Sequence, residues 1–265
     1  MKINPNLGKP MNTEEYAHHW SKDSKFLDQN SQYKWMTEQL GSAELIIEVG
    51  CGAGYSTYAL ARNPNRKILV IEVNAILLDQ ASKYLTSKNI SFDIATTPEE
   101  ITEKLKHSNI VFLNTNIFDI EPQLKTLTQR FDAIICWLIG AEPLVISKNI
   151  KKELEDFKNS DMATYRENVH KVCYKLGESL LKPEGVCHIV DRSIIASWNT
   201  KDKARLDAVA HHKELSSEKY TVNFANTFLR KSGDIRQSKI NYIVQEDMPY
   251  DLGLPVIISV RAIKN

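Results

Sequence analysis

The chain is expected to fold as an α/β protein built on a doubly wound, mostly parallel sheet. Three observations predict it. Short apolar runs alternate with longer helix-patterned segments, the runs are apolar at successive positions, and three glycines separate the first run from its helix. Strands apolar on both faces belong to sheets covered on both sides, and right-handed crossovers then wind helices onto each face.

The elements follow in order. "LIIEV" precedes the helical "GYSTYALARN", and "KILVIEV" precedes "AILLDQASKYLTSK". "IVFLNTN" leads to "EPQLKTLTQ", and "FDAIICWLIG" to two helical stretches, "EPLVISKNIKKELEDFKNS" and "MATYRENVHKVCYKLGESLL". The second of these stops at "KPEG", where Pro183 and Gly185 end a helix. "GVCHIVD" precedes the helical "KDKARLDAVAHHKEL", and the last third carries three strand-like runs, "YTVNFANTFLR", "KINYIVQ" and "PVIISVRAIK". Residues 1–41 form an N-terminal helical cap, helical from Thr13. Residues 42–265 form the main domain, with a helical insertion at about 141–182, far longer than an ordinary connection.

Composition sets limits. At 265 residues and 42% hydrophobic, the chain can bury a full core as one large domain or a domain plus a cap. A net charge of +1, with both signs mixed along the chain, gives no reason to expect nucleic acid or an anionic membrane as partner. No run approaches a membrane span, and the first residues lack the apolar core of a secretory signal. Cys51, Cys136, Cys173 and Cys187 show no paired spacing, which argues against a disulfide framework or a cysteine metal site and for a reducing compartment, the cytoplasm.

The glycines carry the chemistry. Gly50, Gly52 and Gly54 follow a strand and open a helix, where glycine lets the backbone approach a ligand and free N–H groups favour negative charge. Tyr55 stands where the dinucleotide fingerprint wants its next glycine, and Glu48, two residues before the turn, would repel a pyrophosphate. Glu72 ends the second strand at about the twenty-residue distance from which an acid accepts ribose hydroxyls. A ligand with a ribose, a cationic tail and no phosphate suits all three. The plainer reading is a tight turn, with Glu48 favoured by the helix dipole.

"EVGCGAG" followed by "VIEVN" resembles motifs I and II of the class I S-adenosylmethionine-dependent methyltransferases. The resemblance covers roughly residues 45–192 and fades on either side. It implies a seven-stranded sheet and S-adenosylmethionine as cofactor. By resemblance Glu48 reaches the methionine amino group, the backbone at Gly50, Gly52 and Gly54 approaches the methionyl part and ribose, and Glu72 takes the ribose hydroxyls while Val73 packs on adenine. Asn116, followed by Ile117, stands where the family has an acid for the adenine amino group, with Asp119 a weaker substitute. The carbonyl of Cys136 accepts from the methionine ammonium, and Trp137 walls the methyl-transfer pocket.

On the acceptor side, Tyr16, Trp20 and His19 in "EEYAHHWSKD" suit a lid with a base, and Asp191 lies at the carboxyl edge of the fifth predicted strand. Trp20 burying its own helix on the sheet, Trp137 as plain core and His188 as a satisfied core histidine are the blander alternatives. His211 and His212 lie in a mixed-charge helix and are expected to be solvated, with no metal, for want of carboxylate or cysteine company. The reading is a methyltransferase with a small-molecule acceptor. Its rivals are a protein or RNA methylase, a non-catalytic domain that holds the cofactor or a partner chain, and an NAD oxidoreductase. The acceptor atom and the oligomeric state are not decided by these residues.

Overall fold

A computed structural model of the protein describes residues 11–124, 127, 130–157, 159–233 and 253–265. Nine strands among these residues make one sheet, in the order β3-β4-β2-β1-β5-β6-β9-β7, with β8 also on β9. The parallel part comprises β1 (Leu45–Val49), β2 (Lys67–Glu72), β3 (Asp93–Ala95), β4 (Ile110–Asn114), β5 (Phe131–Trp137) and β6 (Leu181–Ile195). The antiparallel edge comprises β7 (Tyr220–Thr221), β8 (Thr227–Lys231) and β9 (Leu254–Lys264).

The sequence reading implied seven strands and passed over the short edge strand β3 and the helix after it. Three residues of strand, only one of them buried, leave too short a pattern to stand out. The run "KINYIVQ" lies outside the described residues. "KPEG" lies not in a separate turn but within β6: the register between β5 and β6 shifts from Phe131↔Leu181 to Ala133↔Val186, and Glu184 takes a positive φ of 62°. The bulge absorbs the proline, which cannot donate to a ladder.

Helices cover both faces. α2 (Gln32–Glu38), α3 (Tyr55–Ala61) and α4 (Ala75–Ser87) pack one face, with Met36, Leu60 and Leu85 fully buried against Ile46, Ile68 and Phe112. α5 (Pro98–His107), α6 (Ile117–Leu124), α7 (Pro143–Ile150), α8 (Asn159–Leu180) and α9 (Lys201–Leu215) belong to the other, where Leu105, Leu124, Ile146 and Leu176 meet Ile47, Leu69 and Ile134. Burying such a side chain stabilises by about 1.5–3 kcal/mol, so the two faces supply most of the driving force.

α1 (Thr13–Gln29) lies across the carboxyl edge of the sheet instead. It starts at Thr13 as expected, with Asn12 as its N-cap: the Asn12 side chain accepts from Glu15 N–H at 2.9 Å and the Glu15 carboxylate accepts from Asn12 N–H at 3.1 Å. Such a reciprocal cap is worth about 1 kcal/mol. Tyr16 and Ala17 pack on Ala53 and Leu77, so the helix rests on the glycine turn and the start of α4. At the opposite edge Asp132 fastens the strand ends, accepting from Leu45 N–H at 2.8 Å and from Lys182 Nζ at 2.7 Å. No helix among the described residues is long and apolar enough to cross a membrane.

Candidate functional site

The turn between β1 and α3 needs its glycines. Gly50, Gly52 and Gly54 have φ of 79°, 52° and 86°, a region L side chains rarely adopt. Space excludes a side chain too. A Cβ on Gly54 would lie 2.8 Å from the Ala81 Cα in α4, and one on Gly52 would collide with the Trp20 indole. Trp20 of the first helix therefore sits over Gly52, the middle glycine of the turn.

Glu72 closes the turn from β2. Its carboxylate accepts from Gly52 N–H at 3.0 Å and from Asn74 N–H at 2.9 Å, and it is 5% exposed. Glu48, beside it, accepts from the Ser56 hydroxyl and, at 2.7 Å, from the Thr57 hydroxyl, which ties β1 to α3. Burial pushes each carboxyl up from an ordinary 4.5 to about 7, against the hydrogen bonds that hold it down. Two protonatable carboxyls thus flank three side-chain-free residues at the carboxyl edge. A carboxylate oxygen has more than one lone pair, so Glu72 can accept a ligand hydroxyl while keeping its backbone bonds. These residues fit a ribose-bearing cationic cofactor.

The sequence model of the methyltransferase-domain family matches residues 40–247, more than half of the chain. The chain belongs to that family. Its fold is that of the class I S-adenosylmethionine-dependent methyltransferases, and S-adenosylmethionine is the family's cofactor. Among solved structures, TrmN from Thermus thermophilus superposes with a TM-score of 0.51 at 9% identity, covering 88% of this chain and 48% of that one. The chain thus spans about half of TrmN, and the likeness speaks for the fold alone. The O-methyltransferase TomG from Streptomyces achromogenes gives 0.44 at 12% identity over 94% and 90% of the two chains. The N-methyltransferase NodS from Bradyrhizobium japonicum gives 0.42 at 16% over 89% and 96%. No curated protein matches the chain by sequence.

Within this methyltransferase domain the other expected residues fall in several places. Val73 is half-buried just after β2. Asn116 caps α6, its side-chain oxygen accepting from Phe118 N–H at 3.1 Å; Ile117 is core and Asp119 is exposed. Cys136 is fully buried one residue before the end of β5. Trp137, expected to wall the pocket, is 4% exposed in the core shared with α2, α3 and α4. Its indole N–H donates to His188 Nδ1 at 3.1 Å. His188 Nε2 then meets the Ser259 hydroxyl at 2.7 Å, and that hydroxyl donates to Gln39 at 2.6 Å. Burial pushes His188 down to about 3, so it stays neutral. Tyr16 is buried under α1, while His19 is half-buried on the same helix, its ring 5.6 Å from that of His18.

Three features escaped sequence reasoning. Leu138, directly after β5, holds a left-handed φ of 57° and donates to Val190 O at 2.7 Å, and its neighbour Ile139 presses on Gly50. Arg192 stacks over Trp20 at 5.1 Å and pairs with Asp23 at 3.3 Å, pinning α1 to β6. Its Nε and Nη2 are buried without a partner among the described residues. Only tertiary contact reveals any of these.

The third feature corrects an expectation. His211 is exposed, but His212 is not solvated: it is 5% exposed and its Nδ1 meets the Tyr174 hydroxyl at 2.9 Å. Nor does it lack company. His212, His170 of α8 and Asp191 of β6 bring ligand atoms within 4.8 Å of one another. The lone pair "HH" could not show this, because α8 and β6 supply the other two members from 42 and 21 residues upstream.

Proposed function

We propose that the protein is an S-adenosylmethionine-dependent methyltransferase acting on a small-molecule acceptor. The observation that carries the cofactor half is the Glu72 carboxylate bonded to Gly52 N–H on a turn of three positive-φ glycines. The cofactor supplies an electrophilic methyl group on a sulfonium. The protein's part is to hold, orient and keep water out. Glu72 takes the ribose hydroxyls, the turn from Gly50 to Gly54 lets the ligand lie against backbone, and Glu48 offers negative charge toward a cationic tail. The two guanidinium nitrogens of Arg192 left without a partner among the described residues suit a carboxylate. Val73, Asn116, Ile117 and the Cys136 carbonyl complete the cofactor side in this proposal.

Residues 1–41 act as the cap, residues 42–265 as the cofactor domain, and about 141–182 as its insertion. Trp20 lies over Gly52, and in this proposal α1 serves as a lid of which Tyr16 and His19 are part. Four free, buried cysteines support a reducing compartment, the cytoplasm. A cavity of about 500 Å³, lined by Asp191, Arg192, Lys203 and Asp207 among others, supports a small acceptor, since ligand pockets run to about 300–1,000 Å³. Arg192 belongs both to that cavity and to the stack on Trp20.

Thermal unfolding tests the cofactor. At a hundredfold over its dissociation constant, S-adenosylhomocysteine should add about 2.7 kcal/mol, a rise of roughly 5–10 °C. NAD should add none, and Glu72→Ala should abolish the rise. A rise with NAD alone sinks the reading. Labelled methyl groups from S-adenosylmethionine, supplied with a fractionated cell extract, should then enter the small-molecule fraction. Label in protein or RNA instead would overturn the acceptor half.

A further inference from the structure

We propose that His170, Asp191 and His212 form a binding site for a divalent transition-metal ion of the Zn²⁺ type, opening onto the cavity beside β6. The three come from different elements, α8, β6 and α9, and converge with ligand atoms within 4.8 Å. His170 Nε2 lies 3.8 Å from the Asp191 carboxylate, too far for a hydrogen bond.

The second observation is a buried polar group with no other use. His170 is 1% exposed, and neither of its ring nitrogens has a hydrogen-bond partner among the described residues. Leaving such groups unsatisfied costs about 1–3 kcal/mol each, and structures seldom carry the cost without a ligand or a role. Elsewhere in this core the histidine problem is solved, since His188 is bonded at both nitrogens.

His212 is arranged as a ligand would be. The 2.9 Å hydrogen bond between its Nδ1 and the Tyr174 hydroxyl fixes the ring, and in the proposed site Nδ1–H is the donor, which leaves the lone pair on Nε2 for the ion. Tyr174 is itself set, its carbonyl accepting from the Tyr220 hydroxyl at 2.8 Å.

Two imidazoles and one carboxylate suit Zn²⁺, Co²⁺ or Fe²⁺ better than Mg²⁺ or Ca²⁺, which want oxygen. Bonds of about 2.0–2.1 Å would draw the three groups together by a fraction of an ångström each. Three protein ligands leave a coordination position open. Asp191 and His212 both line the cavity, so that position is available to water or to a lone pair of a small molecule held there. The ion site stands apart from the methyl-transfer reading; only its use toward an acceptor rests on that reading.

Metal binding tests it without any activity measurement. Chelator-stripped full-length protein is titrated with Zn²⁺, Co²⁺ and Mg²⁺ by calorimetry, and the Co²⁺ adduct is read by visible absorption. We expect one Zn²⁺ or Co²⁺ per chain, a ligand-field band of low-symmetry Co²⁺, and no Mg²⁺ uptake at the same concentrations. Asp191→Asn and His170→Gln should weaken binding by about tenfold or more. His211→Gln, which alters an exposed histidine paired with Glu167, should leave it unchanged. No stoichiometric uptake by the wild type overturns the proposal, as does equal binding by all variants or loss only in His211→Gln. The thermal shift with S-adenosylhomocysteine, run on the same metal-free samples, shows that each variant is folded. It also separates failure of the cofactor reading from failure of the ion site.

Discussion

The carboxyl edge of the sheet holds two clusters of buried ionisable groups, and they solve the cost of burial in opposite ways. Over β1 and β2, the carboxylates of Glu48 and Glu72 are fully partnered by Ser56, Thr57, Gly52 and Asn74. Beside β6, His170 has no hydrogen-bond partner at either nitrogen among the described residues. A satisfied cluster can stand by itself and still accept more, because carboxylate oxygens have spare lone pairs. An unsatisfied one needs something to complete it. Arg192 joins the two regions, stacked on Trp20 at one side and lining the cavity at the other.

The largest test of the contrast is pH. Glu48 and Glu72 carry folded-state values of about 7 against an ordinary 4.5, so the folded chain binds more protons than the unfolded one between those values. Their contribution to stability therefore falls as pH rises from about 4.5 to 7, and the full penalty, on the order of 3 kcal/mol for either group, is present above that. Urea midpoints from about pH 5 to pH 8 should show Glu72→Gln losing less stability than the wild type. Parallel profiles would remove the case for stored charge at the glycine edge.

A smaller effect separates core from site. Trp137→Phe deletes the donor to His188 Nδ1 and should cost about 1–3 kcal/mol, with affinity for S-adenosylhomocysteine unchanged. Lost affinity at unchanged stability would instead return Trp137 to the pocket wall. Smallest is the link itself. Arg192→Ala removes the stack on Trp20 and the Asp23 pair, a partly exposed set worth about 1 kcal/mol. If Arg192 holds a ligand carboxylate, affinity should drop by more than stability does, and equal drops would confine it to pinning α1.

Much of the glycine edge was legible because its chemistry is local. Gly50, Gly52 and Gly54 stand within five residues, Glu48 is two residues away, and Glu72 ends the next strand. Parallel pairing then brings β2 beside β1 as a matter of course, with Glu48 opposite Val70 and Val49 opposite Ile71. Trp20 and Tyr16 were visible as candidates, but only the packing of α1 placed Trp20 on Gly52. Asn116 also caps a helix and Trp137 also supplies a buried donor, contacts that motif position does not encode. The expected solvated His212 failed because a helix with no strong apolar face gives no sign of which side meets α8.

The sequence by itself determined the α/β class, the glycine turn and the two acids that serve it, since periodicity and short spacing encode neighbours along the chain. Tertiary structure alone decided what faces that turn and what completes His212. Those contacts join residues from α1, α8, β6 and α9, whose meeting depends on how helices pack across the sheet and not on any spacing a sequence can show.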